Sequence, residues 1–308
     1  MSRVAERTRD IIGVNWGSTN FRAYRIGANG TAIDDFAAPA GIAGLDRAGI
    51  AAQMAALVAR WPDHGPIYAS GMIGSNIGWA EVPYALAPAG IGEMAGASLT
   101  TDIGGVSASI VPGIACRRFF DGAPDILRGE EIELLGLASL RPDTCGVVAL
   151  PGTHTKWATL DHGRVTNFFT SMSGEMFDRL TAQGLLASIV EGEAADGTAF
   201  HDGVASGMAR QLGLGTLLFG ARARVIRGEL ARADAASYVR GLLIGSEIAD
   251  ALFAYPQMTA VAVPLIGNGA LSRLYASALD RFGVASILID SREACLAGFS
   301  ALHEARFA

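Results

Sequence analysis

Two stretches of this chain repeat one short design, and that repetition restricts the fold more than any other feature. Ile11–Trp16 is an apolar run that ends in Gly17-Ser18-Thr19, and an extended pattern resumes over Phe21–Ile26. Gly146–Leu150 is a second apolar run that ends in Pro151-Gly152-Thr153 and resumes over Lys156–Leu160. Each reads as strand, glycine-hydroxyl turn, strand, which is a β-hairpin signal. Aligned on the glycine, residues 17–23 face residues 152–158, with a hydroxyl next and a cation, Arg22 or Lys156, further on. The period is far too long for a solenoid. It predicts two similar α/β lobes, 1–144 and 145–308, closing on a cleft.

The surrounding pattern supports that class. A third strand is expected near Thr31–Ala37, and helical spacing follows from Asp46, an N-cap residue type, to Trp61. Pro66–Ser70 and Ser107–Val111 read as strands, and Leu127–Leu140 as a helix. Arg164–Thr170 completes the second hairpin region. Helices are expected over Gly174–Ser188, Val204–Arg227, Ala235–Tyr255, Ala270–Phe282 and Arg292–Ala305, with strands at Ala260–Ile266 and Ser286–Ile289.

Composition removes several function classes. The 308 residues carry a net charge of −6 and no long basic run, so neither nucleic acid nor an anionic membrane has electrostatic support. Three cysteines, Cys116, Cys145 and Cys295, are odd in number and form no CxxC pair. This argues against a disulfide framework or structural zinc and for a reducing, cytoplasmic setting. Neither a signal-peptide pattern nor an uninterrupted apolar span is visible. The histidines His64, His162, His201 and His303 show no metal-ligand spacing and read as surface residues. The sequence is silent on oligomeric state.

The turn Gly17-Ser18-Thr19-Asn20 offers backbone N–H groups and hydroxyls without steric cover, a concavity suited to phosphate oxygens, with Arg22 adding charge. One such turn also suits an ordinary exposed hairpin. Two of them, the second at Gly152-Thr153, can clamp a polyphosphate. A third glycine turn, Gly267-Asn268-Gly269, follows an apolar strand and opens a helix, giving a flat surface where a nucleoside can lie. Walker and dinucleotide-binding glycine motifs are absent, and no convincing serine-hydrolase elbow is present.

The order of these turns resembles the sugar kinase/hsp70/actin superfamily, with its ribonuclease H-like lobes. The whole chain resembles the 2-dehydro-3-deoxygalactonokinase family. The segments that carry the resemblance are Trp16–Arg22, Ser70–Trp79, Arg128–Glu131, Pro151–Trp157, Met172–Glu175 and Gly241–Glu247. The resemblance implies ATP-dependent phosphorylation of 2-dehydro-3-deoxy-D-galactonate to its 6-phosphate, in galactonate catabolism, with Mg2+. Another sugar acid or amino sugar as acceptor, or a catalytically weak sensor of sugar acid or nucleotide, is the alternative reading.

Residue roles follow from the resemblance. Glu130 is expected as the base, with Glu131 second; acidic residues in a helix's first turn also simply complement its dipole. Arg128 is expected to pair with the acceptor carboxylate. Ser75, Asn76, Trp79, His154, Lys156 and Glu175 are expected around the acceptor. The family normally has Asp at the position of Asn15, where a carboxylate helps hold the metal through water; Asn keeps the oxygen and lacks the charge.

Overall fold

The computed structural model describes residues 10–209, 211–267 and 269–307. They form two compact units. The first takes the chain up to Cys145, Thr159–Phe168 and the chain from Ser291; the second takes Gly146–Ala158 and Phe169–Asp290.

The first unit begins with β1 (Ile11–Trp16), β2 (Phe21–Ile26), β3 (Ala32–Ala38), α1 (Arg47–Arg60) and β4 (Ile67–Gly71). There follow β5 (Ala85–Leu86), β6 (Ala89–Gly90), α2 (Ile91–Ala97), β7 (Leu99–Ile103), β8 (Val106–Ile110), β9 (Ile114–Arg117), β10 (Pro124–Leu127) and α3 (Glu130–Leu140). Its main sheet has the order β3-β2-β1-β4-β8-β7. The first three strands pair antiparallel, whereas β1, β4 and β8 run parallel. Asp46 caps α1 by accepting from the Gly49 N–H at 2.8 Å, as its residue type leads one to expect. The apolar face of α1 (Ile50, Met54, Leu57) closes over Ile12, Val14, Trp16 and Phe21.

The chain continues with β11 (Gly146–Leu150), β12 (Thr155–Asp161), β13 (Arg164–Ser171), α4 (Ser173–Ala182), α5 (Thr198–Met208), α6 (Leu214–Ile226) and α7 (Arg232–Ala254). It ends with β14 (Val263–Ile266), α8 (Gly269–Asp280), β15 (Ser286–Ile289) and α9 (Ser291–Ala305). The second large sheet has the order β15-β14-β11-β12-β13-β6. Read from the third hairpin strand, β3-β2-β1-β4-β8 and β13-β12-β11-β14-β15 are the same arrangement built twice. The duplication expected from the two glycine-hydroxyl turns is therefore a duplication of sheet topology.

Glycines set two tight helix crossings. In the first unit, Cβ atoms on Gly136 of α3 or Gly298 of α9 would run into Ala294 or Ile132 on the other helix. In the second, Gly203 and Gly207 of α5 face Gly241 and Gly245 of α7 in the same manner. Backbones approach this closely only where side chains are missing.

Several expected boundaries shift. The helix expected over Gly174–Ser188 stops at Ala182, and the one expected over Val204–Arg227 is two helices separated near Gly213. Ala260–Val261 and Ala262 fall outside β14, and Leu127 ends a strand rather than opening α3. His303, expected on the surface, is buried at 5% exposure on α9, where its Nδ1 lies 2.8 Å from the Tyr68 hydroxyl. Among the described residues, no helix is long and apolar enough to cross a membrane.

Candidate active site

The turn between β1 and β2 is held from behind by its own backbone. Gly17 N–H donates to Asn20 O at 2.9 Å, which closes the hairpin. Ile42 N–H donates to Gly17 O and Ala43 N–H to Ser18 O, at 3.1 and 3.0 Å. Trp16 Nε1 donates to Ala40 O at 2.7 Å. A Cβ at Gly41 would fall on the Ser18 carbonyl and the Thr19 backbone, so glycine alone fits there. Ser18, Thr19, Asn20 and Arg22 are exposed on the other side. The strap at Ala40–Ala43 carries no motif that sequence reading could have used.

Beside that turn lies the start of α3. Gly129 precedes it at φ 114°, a conformation that favours glycine, and a Cβ there would sit 3.6 Å from Gly71 Cα and 3.9 Å from Asn15 Oδ1. The helix start is thus packed against the ends of β1 and β4. The two adjacent acids differ sharply. Glu131 is fully buried, with Ser70 Oγ donating to one oxygen at 2.7 Å and Gly129 N–H to the other at 2.5 Å. Burial pushes its pKa up to about 7, against those hydrogen bonds and with the charge of Glu130 adding to the rise. Glu130 is half-buried and accepts from the Arg128 N–H at 3.0 Å.

A third acid joins them. Glu133 accepts from Ser291 Oγ, and burial raises its pKa to about 7, helped by Glu130 and opposed by Arg22. Cys295, buried on α9, lies 4.0 Å from Asn15 Nδ2, and burial followed by the charge of Glu133 holds its thiol protonated. Sequence reading singled out neither Glu133 nor Cys295. The i, i+3 spacing from Glu130, which puts Glu133 on the same face of α3, was the available signal for the acid.

The expected acceptor residues divide into presented and enclosed groups. Arg128 Nη2 donates to Val82 O at 2.8 Å and its guanidinium lies 4.2 Å over the Tyr84 ring. Its Nε and Nη1 are buried without a hydrogen-bond partner, and a Cβ at Gly74 would come within 2.7 Å of Nη1. Asn76 is exposed, whereas Ser75 is buried and turns its hydroxyl to Met72 O at 2.7 Å. Trp79 is tied by Nε1 to Asp102 O at 2.9 Å and capped by Arg47 at 3.9 Å from its ring centre.

In the second unit, the turn before β12 has its glycine open to space: a Cβ at Gly152 would meet nothing within 4 Å. Thr153 and His154 are exposed, and His154 Nε2 lies 2.6 Å from Glu175 Oε2, a bond that holds the Glu175 carboxyl below its ordinary range. Lys156, by contrast, is 6% exposed within β12. The helix α4 presses its start onto the turn: Glu175 N–H donates to Thr153 O at 2.9 Å, and Gly174 leaves no room for a Cβ against Gly152 O. Gly267 lies close by, 3.9 Å from Pro151 O by its Cβ position, and donates its N–H to Ile289 O at 3.1 Å. Gly269 opens α8 at φ 78°. Asn268 lies outside the described residues.

A profile of the 2-keto-3-deoxy-galactonokinase family matches residues 15–302. The chain belongs to that family. It is 35% identical over 295 residues to the 2-dehydro-3-deoxygalactonokinase DgoK1 assigned in Rhizobium meliloti (strain 1021), covering 94% of both chains. It is 32% identical over 244 residues to the 2-dehydro-3-deoxygalactonokinase of Escherichia coli (strain K12), covering 79% of this chain and 80% of that one. A crystal structure from Sinorhizobium meliloti, assigned to the same activity, superposes with a TM-score of 0.84 at 34% identity over 95% of each chain.

The chain is thus a carbohydrate kinase of the 2-keto-3-deoxy-galactonokinase family, a family whose activity uses ATP. Its fold is the superfamily fold expected from the order of the glycine turns. Among the described residues, no three His, Cys, Asp or Glu side chains converge as a self-sufficient metal centre.

Proposed function

We propose that this kinase transfers the γ-phosphoryl group of ATP to the terminal hydroxyl of 2-dehydro-3-deoxy-D-galactonate, giving the 6-phosphate and ADP. The observation that carries the reading is the contrast at the start of α3. Glu131 is enclosed and its two oxygens are occupied, while Glu130, next to it, is only half-buried, with one oxygen accepting from the Arg128 N–H.

Glu130 takes the proton of the attacking hydroxyl as the new O–P bond forms and the bond from γ-phosphorus to the β–γ bridging oxygen breaks. Such a positioned base contributes about 10²–10⁴ in rate. The glycine turns at Gly17 and Gly152 bind phosphate oxygens through backbone N–H groups and the hydroxyls of Ser18, Thr19 and Thr153. The adenosine lies on Gly267 and Gly269. Arg128, with its Nε and Nη1 nitrogens unmatched, receives the acceptor carboxylate. Asn76 and the His154–Glu175 pair bind acceptor hydroxyls. Mg2+ would be held by the phosphates, with Asn15 hydrogen-bonding its water, and supplies neutralisation of the charge that builds on the leaving phosphates. Two of the three free cysteines are buried thiols, in keeping with a cytoplasmic enzyme.

The test is an ADP-release assay with Mg-ATP and 2-dehydro-3-deoxy-galactonate, beside its gluconate epimer and a no-acceptor control. Turnover that depends on the galactonate-derived acceptor supports the reading. ADP release that ignores the acceptor, or prefers the epimer by tenfold or more, contradicts it.

A further inference from the structure

Deep in the second unit, a carboxylate is surrounded by donors. Glu247 on α7 is 2% exposed. Trp157 Nε1 donates to its Oε1 at 2.7 Å, Tyr275 OH to the same oxygen at 3.0 Å, and Ser173 Oγ to Oε2. The Ser171 hydroxyl bonds it as well. A carboxylate has about four acceptor sites, so this set leaves no capacity for a ligand. Burying a charge in this way costs several kcal/mol before its partners are counted, and packed apolar side chains would often serve stability better. Stability alone is therefore a poor reason for Glu247.

Its donors all come from the framework of the Gly152 turn. Trp157 lies in β12 just beyond the turn, Ser173 opens the helix whose next residues press on Gly152 and Thr153, and Tyr275 is on α8, the helix that Gly269 opens. Tyr275 OH also lies 3.0 Å from Thr155 Oγ1, and Gly152 N–H donates to that same Thr155 oxygen at 3.3 Å. Glu247 accepts from the Tyr275 hydroxyl at the end of this series, and that sets its direction. Tyr275 must spend its proton on Glu247, so its oxygen accepts from Thr155, and Thr155 in turn accepts from Gly152 N–H. Burial and the charge of Glu247 hold the Tyr275 phenol well above its ordinary pKa, so it stays a donor at every working pH.

We propose that Glu247 is a positioning residue for nucleotide binding: through Tyr275 and Thr155 it fixes the Gly152 turn, and through α8 and Ser173 it holds the neighbouring turn and α4 in register with it. This rests on the reading of the Gly152 and Gly267 turns as the nucleotide site. Glu247 touches no substrate; it acts on affinity for the nucleotide rather than on the chemical step.

The experiment measures ADP binding by calorimetry, Tm, and the separate KM for ATP and kcat, for the native chain, Glu247→Gln, Tyr275→Phe and the double variant. Tyr238→Phe is the control, because its hydroxyl on the same helix bonds Ser206 and not the turn. Losing one well-placed hydrogen bond is worth about 0.5–1.5 kcal/mol, so ADP binding should weaken about three- to tenfold in each single variant. The KM for ATP should rise in parallel while kcat stays within about twofold. The double variant should be no weaker than the worse single variant, since both break one series. Tyr238→Phe should lose stability without losing ADP affinity. Native-like ADP affinity in folded Tyr275→Phe and Glu247→Gln would overturn the proposal, as would equal weakening in Tyr238→Phe. A native chain that binds no ADP would overturn the nucleotide reading itself.

Discussion

The two glycine turns occupy the same place in the same strand order, yet they are braced by different physics. The Gly17 turn rests on main-chain hydrogen bonds from Ile42 and Ala43, with Trp16 Nε1 pinning Ala40. None of these groups titrates. The Gly152 turn keeps one main-chain bond, from Glu175 N–H to Thr153 O, and otherwise rests on side chains: Thr155, Tyr275, Ser173 and the buried Glu247. Both solutions keep the open face of the turn clear for a ligand, at Ser18 and Thr19 in one case and at Gly152 and Thr153 in the other. A duplicated scaffold therefore fixes what the turn presents, and leaves free how it is supported from beneath. Main-chain support tolerates most side-chain changes but no added Cβ at Gly41; side-chain support can be dismantled one hydroxyl at a time.

The largest expected effects come from filling the spaces that each brace depends on. Gly41→Ala drives a Cβ into Ser18 and Thr19, and Gly174→Ala drives one into Gly152 O and Thr153. The obstructing atoms are backbone, so each turn must shift. Each substitution should weaken ADP binding by tenfold or more, the scale of about 1–3 kcal/mol for overpacking. Calorimetry on the two variants checks this. If Gly41→Ala bound ADP normally while Gly174→Ala did not, only the second turn would hold phosphate and the parallel between the turns would fail.

A smaller effect sharpens the comparison through pH. Each unit buries a carboxylate, Glu131 in the first and Glu247 in the second, and burial raises both. Glu131 goes from an ordinary value of 4.5 to about 7 in the folded chain. The folded state then holds a proton that the unfolded state has released. The contribution is fully present below pH 4.5 and is lost as pH rises through 7, a change of roughly 3 kcal/mol if unrelaxed. In Glu131→Gln, the amide can turn its oxygen to Gly129 N–H and its NH2 to Ser70 Oγ. Denaturant titrations from pH 5 to pH 8 should show a shallower fall in stability than the native chain. An unchanged slope would mean that Glu131 stays ionised in the fold.

The same contrast explains what the sequence made legible. Glycine and hydroxyl residues must lie at the turn itself, contiguous in the chain, so both turns and the flanking strands could be read directly. Supports come from elsewhere in the chain. Ala40–Ala43 contributes backbone, which has no residue signature, and Glu247 lies about 95 residues beyond the turn it supports. The one acid in the largely apolar stretch Leu242–Ala249 was a signal, one that named no partner. Burial was equally hidden: Ser75 and Lys156 sit in matching motifs but are enclosed, Ser75 just after the turn Met72–Gly74 and Lys156 in a strand whose first four residues are all buried. The short strands β5, β6, β9 and β10, of two to four residues, are too brief to leave a periodic pattern. The adjacent acids were legible as a pair; their division into one enclosed and one presented carboxylate required the helix start to be seen.

That division is the centre of the account, and steady-state kinetics on Glu130→Gln and Glu131→Gln tests it most directly. With Mg-ATP and 2-dehydro-3-deoxy-galactonate, Glu130→Gln should lose about 10²–10⁴ in kcat while ADP affinity stays within about twofold, the signature of a lost base. Glu131→Gln should keep kcat within about tenfold. The reverse ranking, with Glu131→Gln inactive and Glu130→Gln active, would contradict the assignment of Glu130 as the base.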